Sequence, residues 1–358
     1  MQDAARLYES AGSACAVLEQ RSDIRQIVPE ASDKLVEVMQ RDLSAYEKRV
    51  EEEQQWCEKN NVRILTIADA DYPERLRSCH DAPLVLFSRG KADLNAPHII
   101  DIVGTRKCTP YGQDFIATMV KDLTALCPDI MIVSGLAYGI DITAHRAALQ
   151  NNIPTIGVVA HGQDTLYPQL HRNEANRMVL GNGAVLTEYF RGTRPEARNF
   201  LQRNRIIAGL SDATIVVESA GHGGGLVTAR IAQDYGRDVF ALPGNITSPM
   251  SEGCNSLIRD NKAQLITSAS DLICCMGWKD ASKLAKARSA GIERQMFVDL
   301  SPTEQQLVDA LKNGDLQLNV IAMNTSLPIS VVTATLFSLE MKGVVKSLSG
   351  NTYHLINN

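Results

Sequence analysis

From Ala96 onward, seven short runs rich in β-branched residues, HIIDIV, DIMIV, TIGVVA, AVLTEY, ATIVVE, DVFALP and AQLI, alternate with stretches of helical character. A strand that is apolar along most of its length must be covered on both faces, and helices between successive runs supply that cover. The alternation therefore predicts an α/β fold with a doubly wound, mostly parallel sheet. In such sheets ligands sit outside the carboxyl ends of the strands, so the residues just after each run are where binding or catalysis is expected.

The flanks of this pattern differ from it. Between Ala31 and Asn60 the apolar positions Leu35, Met39, Leu43, Tyr46 and Val50 step by three or four, which predicts one long amphipathic helix and makes residues 1–60 a helical domain. The next segment holds two short β-type runs around Tyr72-Pro73 and is expected to join the sheet, giving a central domain over 61–277. Residues 278–297, rich in Lys, Arg, Ser and Ala, read as a linker. After it, a capping-box pattern at Ser301 and Glu304, two further helical patterns and two strands across Ser349-Gly350-Asn351 predict a winged helix over 298–358.

Composition narrows the class of protein without choosing a partner. A net charge of −5 excludes a globally basic coat for nucleic acid but permits a local basic patch. The eight cysteines form no C-x-x-C pair, which fits a reducing compartment. No window of about 18 apolar residues or secretory leader pattern is seen, so a cytoplasmic protein is expected. There is no H-E-x-x-H, zinc-type spacing or G-x-S-x-G elbow, and neither a metal nor a cofactor is expected.

Several strand ends carry anion-seeking loops. After the first run, Gly104, Thr105 and Arg106 precede Thr109 and Pro110, good N-cap and N1 residues for the next helix. After the second, Gly135 opens a small-residue turn before a helix for which Asp141 is the expected cap, and His145 in that helix reads as structural. After the fifth, Gly223, Gly224 and Gly225 precede a helix, and after the sixth comes Pro243-Gly244. Neither of the first two loops is a P-loop or G-x-G-x-x-G, so ordinary ATP or dinucleotide binding loses support.

The segment Tyr189 to Leu210 sets Arg191, Arg194, Arg198, Arg203 and Arg205 against Glu196 alone, with Tyr189, Phe190 and Phe200 interleaved. Guanidinium forks suit phosphate oxygens, and an aromatic ring can stack on an unpaired base. Glu188 and Glu218 end strands near this cleft and are the candidate acid and base, although a strand-end carboxylate more often pairs with an arginine.

Taken in order, DYPERL, APLVLFSRG, VGTRKCTPYG, SGLAYGIDITAHRAAL, LTEY, NFLQRNRIIAGLSDATIVVESA, GLVTARIA, VFALPG and GCNSLI make the sequence resemble the DNA-processing protein A family (DprA, also called Smf) from about Val62 to Leu272. The resemblance implies an extended Rossmann-like domain that binds single-stranded DNA without strong sequence preference, forms a homodimer, and promotes loading of the RecA recombinase in natural transformation. It also implies a helical N-terminal domain of SAM or helix-hairpin-helix type, and no catalytic residue. The family's DNA-binding pocket maps onto Gly104, Thr105, Arg106, Gly135, Phe200, Arg203, Asn204, Arg205, Gly224 and Gly225. Two departures stand out: Gly223-Gly224-Gly225 where the family usually reads Ser-Gly-Ser, and Asn261-Lys262-Ala263 where it reads Gly-Ala.

Two other readings remain open at this stage. A nucleotide-processing enzyme of the phosphoribohydrolase-like group would use Glu188 or Glu218, but GHGGGLVTA only partly imitates the loop such enzymes carry. A duplex-reading regulator would use the winged helix, yet Asp299, Glu304, Asp309, Asp315 and Glu340 outnumber Lys312, Lys342 and Lys346 there. A protein-contact or weak auxiliary role for that module is the better expectation.

Overall fold

The computed structural model describes residues 2–278, 300–312, 314–348 and 350–356. The expected linker at 278–297 lies, apart from Trp278, outside the described residues. The chain divides into two compact units, Met1–Lys107 with Asp129–Ile266, and Cys108–Pro128 with Thr267–Asn358.

In chain order the elements are α1 (Gln2–Ala11), α2 (Ala14–Glu19), α3 (Asp33–Gln40), α4 (Ser44–Lys59), β1 (Val62–Thr66), α5 (Glu74–Arg77), β2 (Val85–Gly90) and β3 (His98–Gly104). They continue with α6 (Pro110–Leu126), β4 (Ile130–Ser134), α7 (Ile140–Gln150), β5 (Thr155–Val158), α8 (Arg172–Leu180), β6 (Ala184–Thr187), α9 (Ala197–Leu210) and β7 (Ala213–Val217). Next come α10 (Gly224–Asp234), β8 (Asp238–Ala241), α11 (Glu252–Arg259), β9 (Gln264–Leu265) and α12 (Ala269–Cys275). The last are α13 (Pro302–Leu311), β10 (Leu316–Gln317), α14 (Leu318–Thr325), α15 (Ile329–Met341), β11 (Val345–Leu348) and β12 (Thr352–Leu355).

The first unit is built on a nine-stranded sheet of order β1-β2-β6-β5-β4-β3-β7-β8-β9. The strands from β6 through β9 are parallel, as the alternation predicts, while β2 runs antiparallel to both β6 and β1. Strand β6 shows why its run is apolar throughout: Ala184 and Leu186 enter one core cluster and Val185 another, so each face is buried under its own layer. Asp101 is an exception in the middle of β3. It is fully buried, accepts the Thr214 hydroxyl across β7 at 2.6 Å, and burial pushes its carboxyl well above the usual range.

The helix expected over 31–60 is two helices. Arg41 is extended, and the Asp42 carboxylate accepts both the Ser44 N–H (3.0 Å) and its hydroxyl (2.8 Å). A short polar side chain that bonds its neighbouring backbone competes with helix continuation, which ends α3 at Gln40 and starts α4 at Ser44.

In the second unit α13, α14 and α15 precede the β11–β12 hairpin, and β10 pairs with β12, the arrangement of a winged helix. The capping box forms as expected, with the Glu304 N–H donating to Ser301 Oγ and the Ser301 N–H to Glu304 Oε2. Gly350 and Asn351 both take positive φ at the hairpin tip, the conformation that glycine and asparagine accept most readily.

Candidate nucleic-acid interface

The carboxyl ends of β3, β4 and β7 are tied together by backbone. The Thr105 N–H donates to the Glu218 carbonyl at 2.8 Å, and the Ile140 N–H donates to the Thr105 carbonyl at 3.1 Å. This crossing needs a residue without a side chain at Gly104, because a Cβ there would lie 1.9 Å from the Val217 carbonyl oxygen. Arg106 follows on the exposed side of the turn.

Helix α9 supplies the opposite wall. Residues at i, i+3 and i+4 share a helix face, which brings Phe200, Arg203 and Asn204 together. The Arg106 guanidinium carbon lies 5.5 Å from the Phe200 ring centre, and that of Arg203 lies 5.9 Å from it. Tyr167 meets the same ring edge-on at 5.8 Å. The pocket between these walls is lined by Gly104, Arg106, Phe200, Arg203 and Asn204, and its floor includes Gly224 and Gly225 at the start of α10.

Arg203 is 3% exposed, and its environment explains how a charge is kept there. Nη1 donates to the Val158 carbonyl at 2.8 Å, whereas Nε is buried with no hydrogen-bond partner. The Asp141 carboxylate is the counter-charge: burial lowers the Arg203 pKa to about 10 and Asp141 opposes the drop. The same burial raises Asp141, and Arg203 pulls it back. Arginine therefore remains charged at neutral pH. Its head fits only because residue 135 is glycine, since a Cβ there would stand 1.8 Å from Nη1.

Three of the ten expected residues stand outside the lining. Thr105 locks the strand ends, its hydroxyl accepting the Lys107 N–H at 3.1 Å. Gly135 lies behind Arg203. Arg205 is 6% exposed and points away; it forms a buried ion pair with Glu188 and donates to the Asp81 carbonyl. Helical phase would have revealed this, because two residues along an α-helix turn the side chain by about 200°.

Other expectations also change. Asp141 is not the cap of α7, whose N-cap is Gly139; its carboxylate instead accepts the Gly135 N–H (3.1 Å) and the Ala137 N–H (3.4 Å). Of the three aromatics, Phe200 alone lines the pocket, while Phe190 packs edge-on to Phe87 at 5.3 Å and the Tyr189 hydroxyl donates to Gln202 Oε1 at 3.3 Å. Gly244 is bracketed by Asn255, which accepts its N–H and donates to its carbonyl. His145 is buried on Thr155, as a structural histidine should be. The lining also contains Tyr138 and Thr228, which the sequence reading did not assign to it, and Asp141, which was expected only as a helix cap. The glycine-bounded turn before α7 was the available signal for Tyr138; nothing in the sequence spacing identified which carboxylate would face Arg203.

The chemistry on offer is that of anion and ring recognition. Two guanidinium groups lie near a partly exposed aromatic ring, and backbone at Gly224 is open, with nothing within 4 Å of the position a Cβ would take. Glu188 is engaged with Arg205 and Glu218 is 4% exposed at the end of β7; neither lines the pocket.

The family model for DNA recombination-mediator protein A matches residues 63–277, and a model for the DprA winged helix domain matches 298–351. The chain is 41% identical over 210 residues to DNA processing protein DprA of Streptococcus pneumoniae, covering 58% of this chain and 72% of the relative. It is 32% identical over 337 residues to protein Smf of Escherichia coli, covering 94% and 88%. The crystal structure of the Streptococcus pneumoniae protein superposes with a TM-score of 0.59 at 32% identity, covering 76% of this chain and 96% of that one. The Helicobacter pylori DNA processing protein A, solved in a study of its single-stranded DNA binding mode, superposes with a TM-score of 0.54 at 30% identity, covering 60% and 95%. On a match that spans the sheet unit and the winged helix alike, the chain belongs to the DNA recombination-mediator protein A (DprA/Smf) family.

Proposed function

We propose that the protein binds single-stranded DNA, without strong sequence preference, in the pocket between the β3 turn and α9. The observation that carries this reading is that the guanidinium carbons of Arg106 and Arg203 lie 5.5 and 5.9 Å from the Phe200 ring centre and all three residues line one cleft. Stacking on a ring tolerates any base, and guanidinium groups hold phosphate wherever it lies in the chain. Gly104, Asn204, Gly224 and Gly225 line the seat; Thr105, Gly135 and Asp141 position it.

In this reading the protein acts as a homodimer in the cytoplasm, hands the strand to the RecA recombinase and promotes recombination of incoming DNA in natural transformation. It is a binder and loader, not an enzyme, a reading supported by the engagement of Glu188 with Arg205. The winged helix serves as a protein contact, since α15 carries no arginine or lysine.

The test is fluorescence anisotropy of labelled oligothymidylate. Phe200→Ala is expected to cost about 1–3 kcal/mol of binding and Phe200→Trp to retain most of it, with duplex DNA a poor competitor. Equal binding by Phe200→Ala, or release of base from a nucleoside monophosphate, would replace this reading.

A further inference from the structure

A second trough opens where α8 packs over β2 and β6, and none of its lining residues belongs to the Phe200 pocket. Its apolar floor includes Val179 and Val185, and its polar rim carries Arg89, Arg172, Asn176 and Asp164. Neighbouring arginines on this side are occupied: Arg146 pairs with Glu174 at 2.8 Å, and Arg177 donates to the Leu149 carbonyl at 3.4 Å. Among the described residues, by contrast, the side chains of Arg89, Arg172 and Asn176 have no hydrogen-bond or ion-pair partner.

Asp164 is the one carboxylate that lines the trough among the described residues. Asp164 Oδ1 already accepts the Gly192 N–H at 3.0 Å. Two guanidinium groups against this single carboxylate leave the trough with a net positive charge, which an anion bound there would offset. Guanidinium forks match phosphate oxygens in particular, and the Asn176 amide adds a neutral donor.

We propose that Arg89 and Arg172 form a phosphate seat distinct from the Phe200 pocket. Asp164 also borders an adjoining trough that carries Lys48, Arg49 and Arg191, with Glu52 and Glu53. Glu53 accepts the Arg191 N–H at 2.9 Å and, with Glu52, pairs with its guanidinium at 3.8 and 3.9 Å, which leaves Lys48 and Arg49 as the cations of that trough without an ion pair among the described residues. This continuity favours a phosphodiester chain as the source of the phosphate, an assignment that rests on the single-stranded DNA reading; a free phosphate monoester is the other source with the same chemistry.

The experiment compares the full-length protein with Arg89→Ala/Arg172→Ala, its fold checked by thermal unfolding, against four ligands: oligothymidylates of about 6 and about 30 nucleotides, inorganic phosphate, and thymidine monophosphate. If a strand occupies the seat, the double variant loses about tenfold in affinity for the long oligomer only, and its salt slope falls by about 1.4, the contribution of two phosphates. If a monoester occupies it, phosphate or the nucleotide binds the wild type saturably, the double variant loses that binding, and both oligomers are unaffected. Wild-type behaviour of the double variant toward all four ligands overturns the seat. Failure of the short oligomer to bind wild type counts against the Phe200 pocket alone, because the phosphate titration still reads the trough.

Discussion

Arg203 and Arg205 leave the same helix two residues apart and are almost equally buried, at 3% and 6% exposure, yet their surroundings differ. Arg203 lines a cleft beside Phe200, with Asp141 as a counter-charge. Arg205 faces the Glu188 carboxylate, which burial pushes up and Arg205 pulls back. Burial alone therefore does not separate a binding arginine from a structural one. What separates them is whether a carboxylate pairs directly with the guanidinium, as Glu188 does with Arg205, or the guanidinium lines a cleft with no ion pair among the described residues, as Arg203 does.

The largest expected effect falls on the locked arginine. Arg205→Met leaves Glu188 buried without its cation, and about 3–5 kcal/mol of stability should be lost in urea denaturation, while the folded fraction keeps its affinity for single-stranded DNA. Adding Glu188→Leu should restore much of the loss. Unchanged stability with lost binding would reverse the two assignments.

Gly135→Ala sharpens the other side of the comparison. The new methyl group would sit 1.8 Å from Arg203 Nη1 and expel the guanidinium from its seat. We expect a loss of affinity of about tenfold and a stability cost of about 1–3 kcal/mol, read by anisotropy and denaturation. Full affinity in this variant would show that the position of Arg203 does not matter.

A smaller effect extends the rule to a titratable cation. In the second unit His354 places Nε2 at 2.7 Å from Asp114 Oδ2 and Nδ1 at 2.6 Å from Asp315 Oδ1, so both nitrogens must carry protons for both bonds to form. Burial opposes the charge and the two carboxylates outweigh it, leaving the pKa above the usual value; Lys346 is its cross-strand neighbour. A raised folded pKa stabilises fully below about 6.5 and loses that contribution as pH rises through the folded value, on the order of 1 kcal/mol for so partly exposed a group. Hydrogen exchange of the hairpin should therefore accelerate with pH more than intrinsic chemistry dictates, and His354→Gln should remove the excess. A locked charge of this kind should leave DNA affinity unaltered.

Much of this architecture was legible because burial on both faces writes itself into a strand as an unbroken apolar run, as in ATIVVE, and because binding turns need residues such as Gly104. Strand order was not legible: nothing in the local pattern says that β2 inserts antiparallel beside β6. The break at Asp42 was hidden by an apolar period that runs through it, Leu43 included. At the site, residue types were readable and pairings were not. That Glu188 would pair with an arginine was expected, but which of Arg203 and Arg205 it would take, and that Asp141 would stand by Arg203, only the folded chain decides.

The most direct test is the salt dependence of oligothymidylate binding in wild type, Arg106→Ala and Arg205→Met. Arg106 is exposed beside Phe200 and should contribute one phosphate contact, so its loss lowers the slope of log K against log salt by about 0.7, whereas Arg205→Met leaves the slope unchanged. An unaltered slope in Arg106→Ala together with a reduced one in Arg205→Met would contradict the account.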